Sequence, residues 1–456
     1  MKIAVIGAGW AGLTAAWTLH RQGHAVALFE AARNLGGRAR RVHSRSLDLV
    51  IDNGQHILLG AYTETQALMR ELGLNPGQLF YRERLRLQSA DGRFSLHTLP
   101  LPAPFHLLGG VLSASGLSMK ERLGLITLVA RLRVHGWKPA AGLSVQQWLE
   151  QGRQSAHAIR SFWQPLCLAA LNTPLADACA LLFAHVLRDS LGGPKGATDV
   201  LIPQVDLSQL WPDALARQLS EQASNGTALH LAHTVRKLGT CANGVTLDGA
   251  AFDAVIVAGN TPSTLRLLKQ LDATDGSQPY LDMLSAFRFL PIATLTLQLE
   301  QPWQLPHPMM LLRDDPGTLQ FGQWLFDRSG YSQALRKKGV SSTEAADTAH
   351  LLHIVISDAT ALQEHPQDDI VRAIKKQVQA QTVRFGAMPR VTGHDLIIEK
   401  RATFAARPGL ARPGVATPWP RVWVAGDWTD TGYPGVLEGA VRSGRAAAQS
   451  LLDKVA

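Results

Sequence analysis

An α/β fold, a parallel sheet covered by helices and interrupted by an inserted α+β domain, is predicted by three observations on the 456-residue chain. The first is the order strand, glycine turn, helix, strand at the N-terminus. The second is a strand that runs into a glycine-rich helix start near the C-terminus, and the third is the long, differently patterned stretch between them. Strands that alternate with helices read as parallel-sheet units, and runs of other pattern read as added domains.

Lys2-Ile3-Ala4-Val5-Ile6 is a short β-branched apolar run, followed at once by Gly7-Ala8-Gly9-Trp10-Ala11-Gly12 and a helical pattern over 13–22. Gly7 permits the tight turn, Gly9 lets the backbone approach a pyrophosphate, and Gly12 lets helix and strand pack closely, with phosphates at the helix N-terminus. A second strand over 25–29 ends in Glu30. A carboxylate there accepts hydrogen bonds from a ribose diol and repels a 2′-phosphate, so the expected ligand is a dinucleotide unphosphorylated at that ribose. Glycine triplets alone also occur in flexible turns; here the strand before, the helix after and the acid agree on a Rossmann-like unit. The uncharged run 3–19 superficially resembles a secretory signal, but its spaced glycines and the strand beyond make it part of a nucleotide fold, to be retained.

Leu35-Gly36-Gly37-Arg38 comes next. It is similar to the second signature of the large flavin-dependent amine oxidase and phytoene desaturase superfamily. The resemblance implies FAD as cofactor, a domain of the glutathione reductase type, and Gly36, Gly37 and Arg38 close to the FAD pyrophosphate and ribityl chain. The C-terminal block is the second strong pattern: strand 421–425, then Gly426-Asp427, then Gly432-Tyr433-Pro434-Gly435-Val436 opening a final helix. A helix N-terminus beside a strand-end acid can direct N–H groups at flavin carbonyls, although a strand-to-helix turn without ligand has the same shape. In the superfamily the matching Gly426 and Asp427 contact the ribityl or phosphate region, and Gly435 and Val436 lie under the ring. Val235 falls where the superfamily places a backbone contact to adenine. Cys167, Cys179 and Cys241 lie outside that C-terminal motif, so FAD is expected to be noncovalent.

Between these ends, a helix is expected at 62–72, mostly helical sequence at 100–191, and another helix at 206–224. A β-meander over 228–231, 234–238, 244–247 and 251–257 follows, then strands at 292–299 and 319–326, a helix at 365–384 and a strand at 391–400. The stretch 331–348 reads as disordered. The expected division is a discontinuous FAD domain of 1–75, 195–270 and 390–456, and a substrate domain of 76–194 and 271–389 with a helical segment at 105–190. An inserted block rich in leucine and aromatic residues suits a tunnel for a long apolar substrate.

With 46% apolar residues, 18% charged residues and 40 glycines the chain reads as globular. Its three cysteines have no metal-ligand spacing, so no metal is expected and a reducing cytoplasm fits. The net charge of +9 suggests an anionic partner surface, but the bases are dispersed and carry no nucleic-acid motif. Between Phe105 and Lys138 many leucines accompany Lys120, Arg122, Arg131, Arg133 and Lys138, against the single acid Glu121. Such a segment fits peripheral contact with the inner face of a membrane, and equally an amphipathic pair covering a core.

Asp52-Asn53-Gly54-Gln55-His56 gathers an acid, two amides and a histidine. Together with Gly7 to Leu13, Leu58 to Tyr62 and Ala425 to Thr429, this stretch resembles the squalene-associated, FAD-dependent branch of the superfamily. The resemblance implies reductive removal of the hydroxyl of hydroxysqualene, an allylic alcohol, with hydride delivered to that carbon. Such chemistry needs a proton for the leaving oxygen and exclusion of bulk water. His56 is the first candidate acid and Asp52 the second; Tyr433 or Trp428 could face a cation, or could simply pack in the core. The competing functions are an oxidative carotenoid-type desaturase, an amine oxidase, and a non-catalytic flavin-binding partner of a polyprenyl pathway. Neither the reductant nor the oligomeric state is legible.

Overall fold

The computed structural model describes residues 1–102, 104–194, 196–221, 226–303, 305–327 and 350–455. Its main strands, in chain order, are β1 (Lys2–Ile6), β2 (Ala25–Phe29), β3 (Ala228–His230), β4 (Ala254–Val257), β5 (Phe289–Leu299), β6 (Met309–Leu311), β7 (Trp324–Asp327), β8 (His350–Ser357), β9 (Val391–Phe404) and β10 (Val422–Val424). They form two five-stranded sheets. One, in the order β3-β2-β1-β4-β10, is parallel throughout; the other, β6-β7-β8-β5-β9, is antiparallel throughout.

The parallel sheet is apolar on both faces, which is why β1 and β4 read as unbroken apolar runs rather than alternating ones. Ile3, Ala4 and Val5 are fully buried, as are Ala254, Val255 and Ile256. On one face α1 (Trp10–Arg21) lies against the C-terminal helix, α6 (Leu437–Val455), so closely that a side chain at Gly444 would stand 2.1 Å from the Ala11 carbonyl oxygen. Between β2 and β3 in sequence come α2 (Thr63–Glu71), then a helical block containing α3 (Phe105–Leu112), α4 (Met119–Val134) and α5 (Ala180–Leu191). Trp148, Phe162, Trp163 and Phe183 hold that block together through edge-to-face ring contacts with centroids 4.9–6.3 Å apart.

Several expectations are corrected. Residues 228–230 are the outer strand of the parallel sheet, paired with β2, and not part of the meander, which consists of Leu238–Cys241, Gly244–Leu247 and Ala250–Phe252. Residues 234–237 form no strand, because the Asp248 carboxylate takes the Arg236 and Lys237 N–H groups at 3.1 and 2.8 Å. The helix expected at 206–224 is two, Leu207–Leu210 and Pro212–Glu221, since Pro212 brings no N–H to a continuous ladder; residues 222–225 lie outside the described residues. β9 joins the antiparallel sheet along the length of β5, so the chain re-enters the nucleotide-binding part after Phe404 rather than at 390. The stretch 331–348 lies outside the described residues.

Candidate active site

Glu30 ends β2 with its carboxylate already anchored: Oε2 accepts the Ala8 N–H at 2.7 Å and Oε1 the Ala32 N–H at 2.8 Å. Both oxygens keep lone pairs for a diol. Gly7 turns at φ +103°, where a side chain would stand 2.8 Å from the Ala258 carbonyl oxygen; one at Gly12 would stand 1.8 Å from the Gly7 carbonyl oxygen. The Gly36 N–H bonds the Ala8 carbonyl at 2.9 Å, and a Cβ on Gly37 would come within 3.0 Å of the Gly9 Cα. Two glycine loops therefore meet edge to edge, leaving bare backbone where a pyrophosphate would lie.

Arg38 reaches from this cradle to the other end of the chain, its Nη2 lying 2.7 Å from Asp427 Oδ1 and its Nη1 2.5 Å from the Ala402 carbonyl oxygen. Burial opposes its charge, but Asp427 and Glu399 outweigh burial and hold the guanidinium protonated above its usual range. At Gly435 a side chain would meet Thr403 Cβ at 3.1 Å and Asp427 Oδ2 at 3.3 Å. The Val235 carbonyl is bonded by Arg266 Nη2 at 3.0 Å. Of the twelve expected cofactor residues, Gly12 alone stays behind the wall, beneath Gly7; Gly7, Gly9, Glu30, Gly36, Gly37, Arg38, Val235, Gly426, Asp427, Gly435 and Val436 all line one cavity of about 1020 Å³.

The same cavity continues past Asn53, Gly54, Gln55 and His56 into an apolar half walled by α3, α4, α5 and the antiparallel sheet. Leu107, Val111, Leu125 and Val129 face it from the α3–α4 hairpin, Phe183 from α5, and Trp324 and Phe326 from β7. The other side of that hairpin is bare: Phe105 is 57%, Met119 56%, Leu123 51% and Val134 83% exposed. Arg122 spends its charge within the hairpin on the Leu112 and Leu117 carbonyls, at 2.6 and 3.0 Å. Among the described residues no helix is long and apolar enough to cross a membrane.

Of the proposed catalytic side chains, the cavity receives only His56. Asp52 is buried outside it, with Oδ1 accepting the Leu207 N–H at 2.8 Å, where it starts a helix. Tyr433 points away as well: its hydroxyl donates to Asp189, Arg442 lies 4.7 Å over its ring, and the ring does not line the cavity. Trp428 donates to the Gly259 carbonyl at 3.0 Å and packs edge-on to Phe287. His56 Nδ1 lies 2.8 Å from the Gly54 carbonyl oxygen, which can only accept, so Nδ1 carries the proton. Burial first, then the Arg38 charge, push the His56 pKa down despite that hydrogen bond. The ring is therefore neutral near pH 7, and Nε2, which bonds no described residue, is an acceptor. That corrects the expectation of a ready acid. Sequence reasoning missed Tyr62, which lines the cavity where α2 begins; it stood in a quoted motif, and its neighbours, distant in the chain, carried no local signal.

An open parallel sheet with a glycine cradle, an acid at the end of its second strand and an adjoining apolar cavity is the architecture of an FAD-dependent oxidoreductase. The family model described as flavin containing amine oxidoreductase matches residues 10–452, and the chain belongs to that family. It is 28% identical to a hydroxysqualene dehydroxylase of Rhodopseudomonas palustris, covering 99% of this chain and 98% of the relative. It is 25% identical to one of Zymomonas mobilis, covering 98% of each, and 23% identical to a zeta-carotene desaturase of Synechocystis, covering 99% and 97%. Among solved structures it resembles an oxidoreductase from Methanosarcina mazei, with TM-score 0.72, 18% identity and coverage of 99% and 100%. A cyclohexylamine oxidase from Brevibacterium oxydans gives 0.69, 18%, and 100% and 99%.

Proposed function

We propose that this oxidoreductase removes the hydroxyl of hydroxysqualene reductively, giving squalene. The observation that carries the reading is one cavity that joins the nucleotide cradle to mostly apolar walls, with His56 among its lining side chains. The likeness to relatives named hydroxysqualene dehydroxylase over nearly the whole chain supports it. Reduced FAD supplies the hydride. Glu30 and the glycine loops hold the cofactor's adenosine half, and Arg38 with Asp427 holds the middle. The apolar walls bury a polyprene and keep water from a cationic carbon. His56 Nε2 accepts the substrate hydroxyl's hydrogen bond and fixes which carbon faces the flavin.

The bare outer side of α3 and α4, with Lys120, Arg131 and Lys138 exposed beside it, docks on an anionic bilayer in which so apolar a substrate resides. The deciding experiment is anaerobic. With flavin reduced and deuterated at N5, hydroxysqualene should give squalene labelled at the carbon that lost oxygen while the flavin reoxidises. Unlabelled squalene would end the hydride reading, and reduction of the flavin by a saturated polyprene would make the enzyme an oxidative desaturase.

A further inference from the structure

Tyr62 closes the turn before α2, and its ring borders the cavity together with Leu59, Gly435 and Val436, at the inner end of the cofactor cradle. Its hydroxyl bonds no described residue, while its surroundings are fixed. The Tyr433 ring stands edge-on to it with centroids 6.5 Å apart, and that ring is tied down through its own hydroxyl to Asp189. Behind it, the fully buried Glu438 of α6 caps the first turn of α2, accepting the Glu64 and Thr65 N–H groups at 3.0 Å each, the Thr65 hydroxyl at 2.7 Å and Arg442 Nε at 3.0 Å. A rigidly held phenol with a free O–H, on the wall of a mostly apolar cavity, is a hydrogen-bond and proton donor in search of an oxygen. His56 faces the same cavity with only a lone pair to offer.

We propose that Tyr62 is a catalytic residue, the proton donor to the departing hydroxyl, an inference that rests on the dehydroxylase reading above. The carbon–oxygen bond breaks with its electron pair on oxygen, which takes the phenol proton and leaves as water. The carbon would take up a hydride, the two-electron chemistry that bound reduced FAD would supply, and one further proton, released overall as the flavin is oxidised, would restore the phenol. Burial, then Glu438, then Tyr433 raise the pKa of Tyr62, so the phenol is protonated at neutral pH, and Arg442 is paired with Glu438.

The test compares hydroxysqualene with its acetate ester, whose leaving group departs as carboxylate and takes no proton. Tyr62→Phe should slow conversion of the alcohol at least about 100-fold, the lower end of what a general acid supplies. Conversion of the ester should change little, and the flavin absorbance and content should match those of the wild type. The wild type should show a normal solvent deuterium isotope effect with the alcohol that is lost with the ester. Equal slowing of both substrates, or none of either, would overturn the assignment of Tyr62. A wild type inert toward hydroxysqualene would instead overturn the function reading. Should Tyr62→Phe fail to hold flavin, replacement of Tyr62 by 3-fluorotyrosine keeps the ring's shape and must change the alcohol rate while leaving the ester rate alone; the same rate for both overturns the proposal.

Discussion

At the scale of single residues, the site is decided by which polar groups already have partners. Glu30 holds two backbone N–H groups and still offers lone pairs, so Glu30→Ala should remove the proposed ribose contact and loosen the Ala8 turn together. Charge-assisted hydrogen bonds contribute about 1.5–3 kcal/mol, so FAD retention should weaken roughly 10- to 100-fold. Ultrafiltration of the yellow protein would measure this, and undiminished retention would refute the assignment. His56 makes a prediction about pH. Its lowered pKa leaves it neutral until the pH falls below that value, so the lone pair proposed to orient the substrate is lost only on the acid side of the ordinary histidine value of 6.5. Turnover of the reduced enzyme should therefore fall in acid with a limb below pH 6.5, and His56→Gln should be slow throughout and lack that limb. A rate that climbs on acidification would return His56 to the role of acid.

At the scale of elements, the α3–α4 hairpin is both cavity wall and outer surface, and it is pinned by one carboxylate. Glu121 accepts the Ser155 hydroxyl at 2.6 Å, the Ser118 N–H at 2.8 Å and His157 Nδ1 at 3.2 Å, so it closes the capping box of α4 and staples that helix to the short turn of helix at Ala156–Ala158. These bonds hold its pKa at about 2, down from 4.5. A depressed carboxylate stabilises the fold above its unfolded value and loses that contribution as the pH falls. Glu121→Gln should thus cost about 1 kcal/mol at pH 7, a difference that shrinks between about pH 4.5 and pH 2 in denaturant melts. Replacing Lys120, Arg131 and Lys138 by alanine should abolish flotation with anionic liposomes at low salt; unchanged flotation would sink the membrane contact. What the sequence made legible was whatever geometry is compressed into a short contiguous pattern: β1, the glycine turn, α1, β2 and Glu30, and again Gly426-Asp427 with the start of α6. It misled where partners are remote. Asp52 answers to Leu207 and Tyr433 to Asp189, 155 and 244 residues away, and no local spacing encodes that. The three-residue β3 was too short to show a period, and β9 was misassigned because either sheet suits its apolar residues until β5 offers a matching edge.

At the scale of the whole molecule, the two ends of the chain line one cavity. No cysteine lies at the C-terminal cradle, so FAD is expected to be held by contacts alone, and acid precipitation of the holoprotein should leave yellow flavin in the supernatant; colour in the pellet would contradict this. The pairing of Arg38 with Asp427 also has a consequence for how the protein is made. Its partners are separated by 389 residues, and α1 is covered by α6, which follows every other described element along the chain. At about 5–20 residues per second, the first half of the cradle waits roughly 20–80 s for the second. The nascent chain should thus bind no cofactor until the segment around Asp427 has been made, and a transcript truncated before the codon for Asp427 should yield a colourless product however much flavin the cell contains.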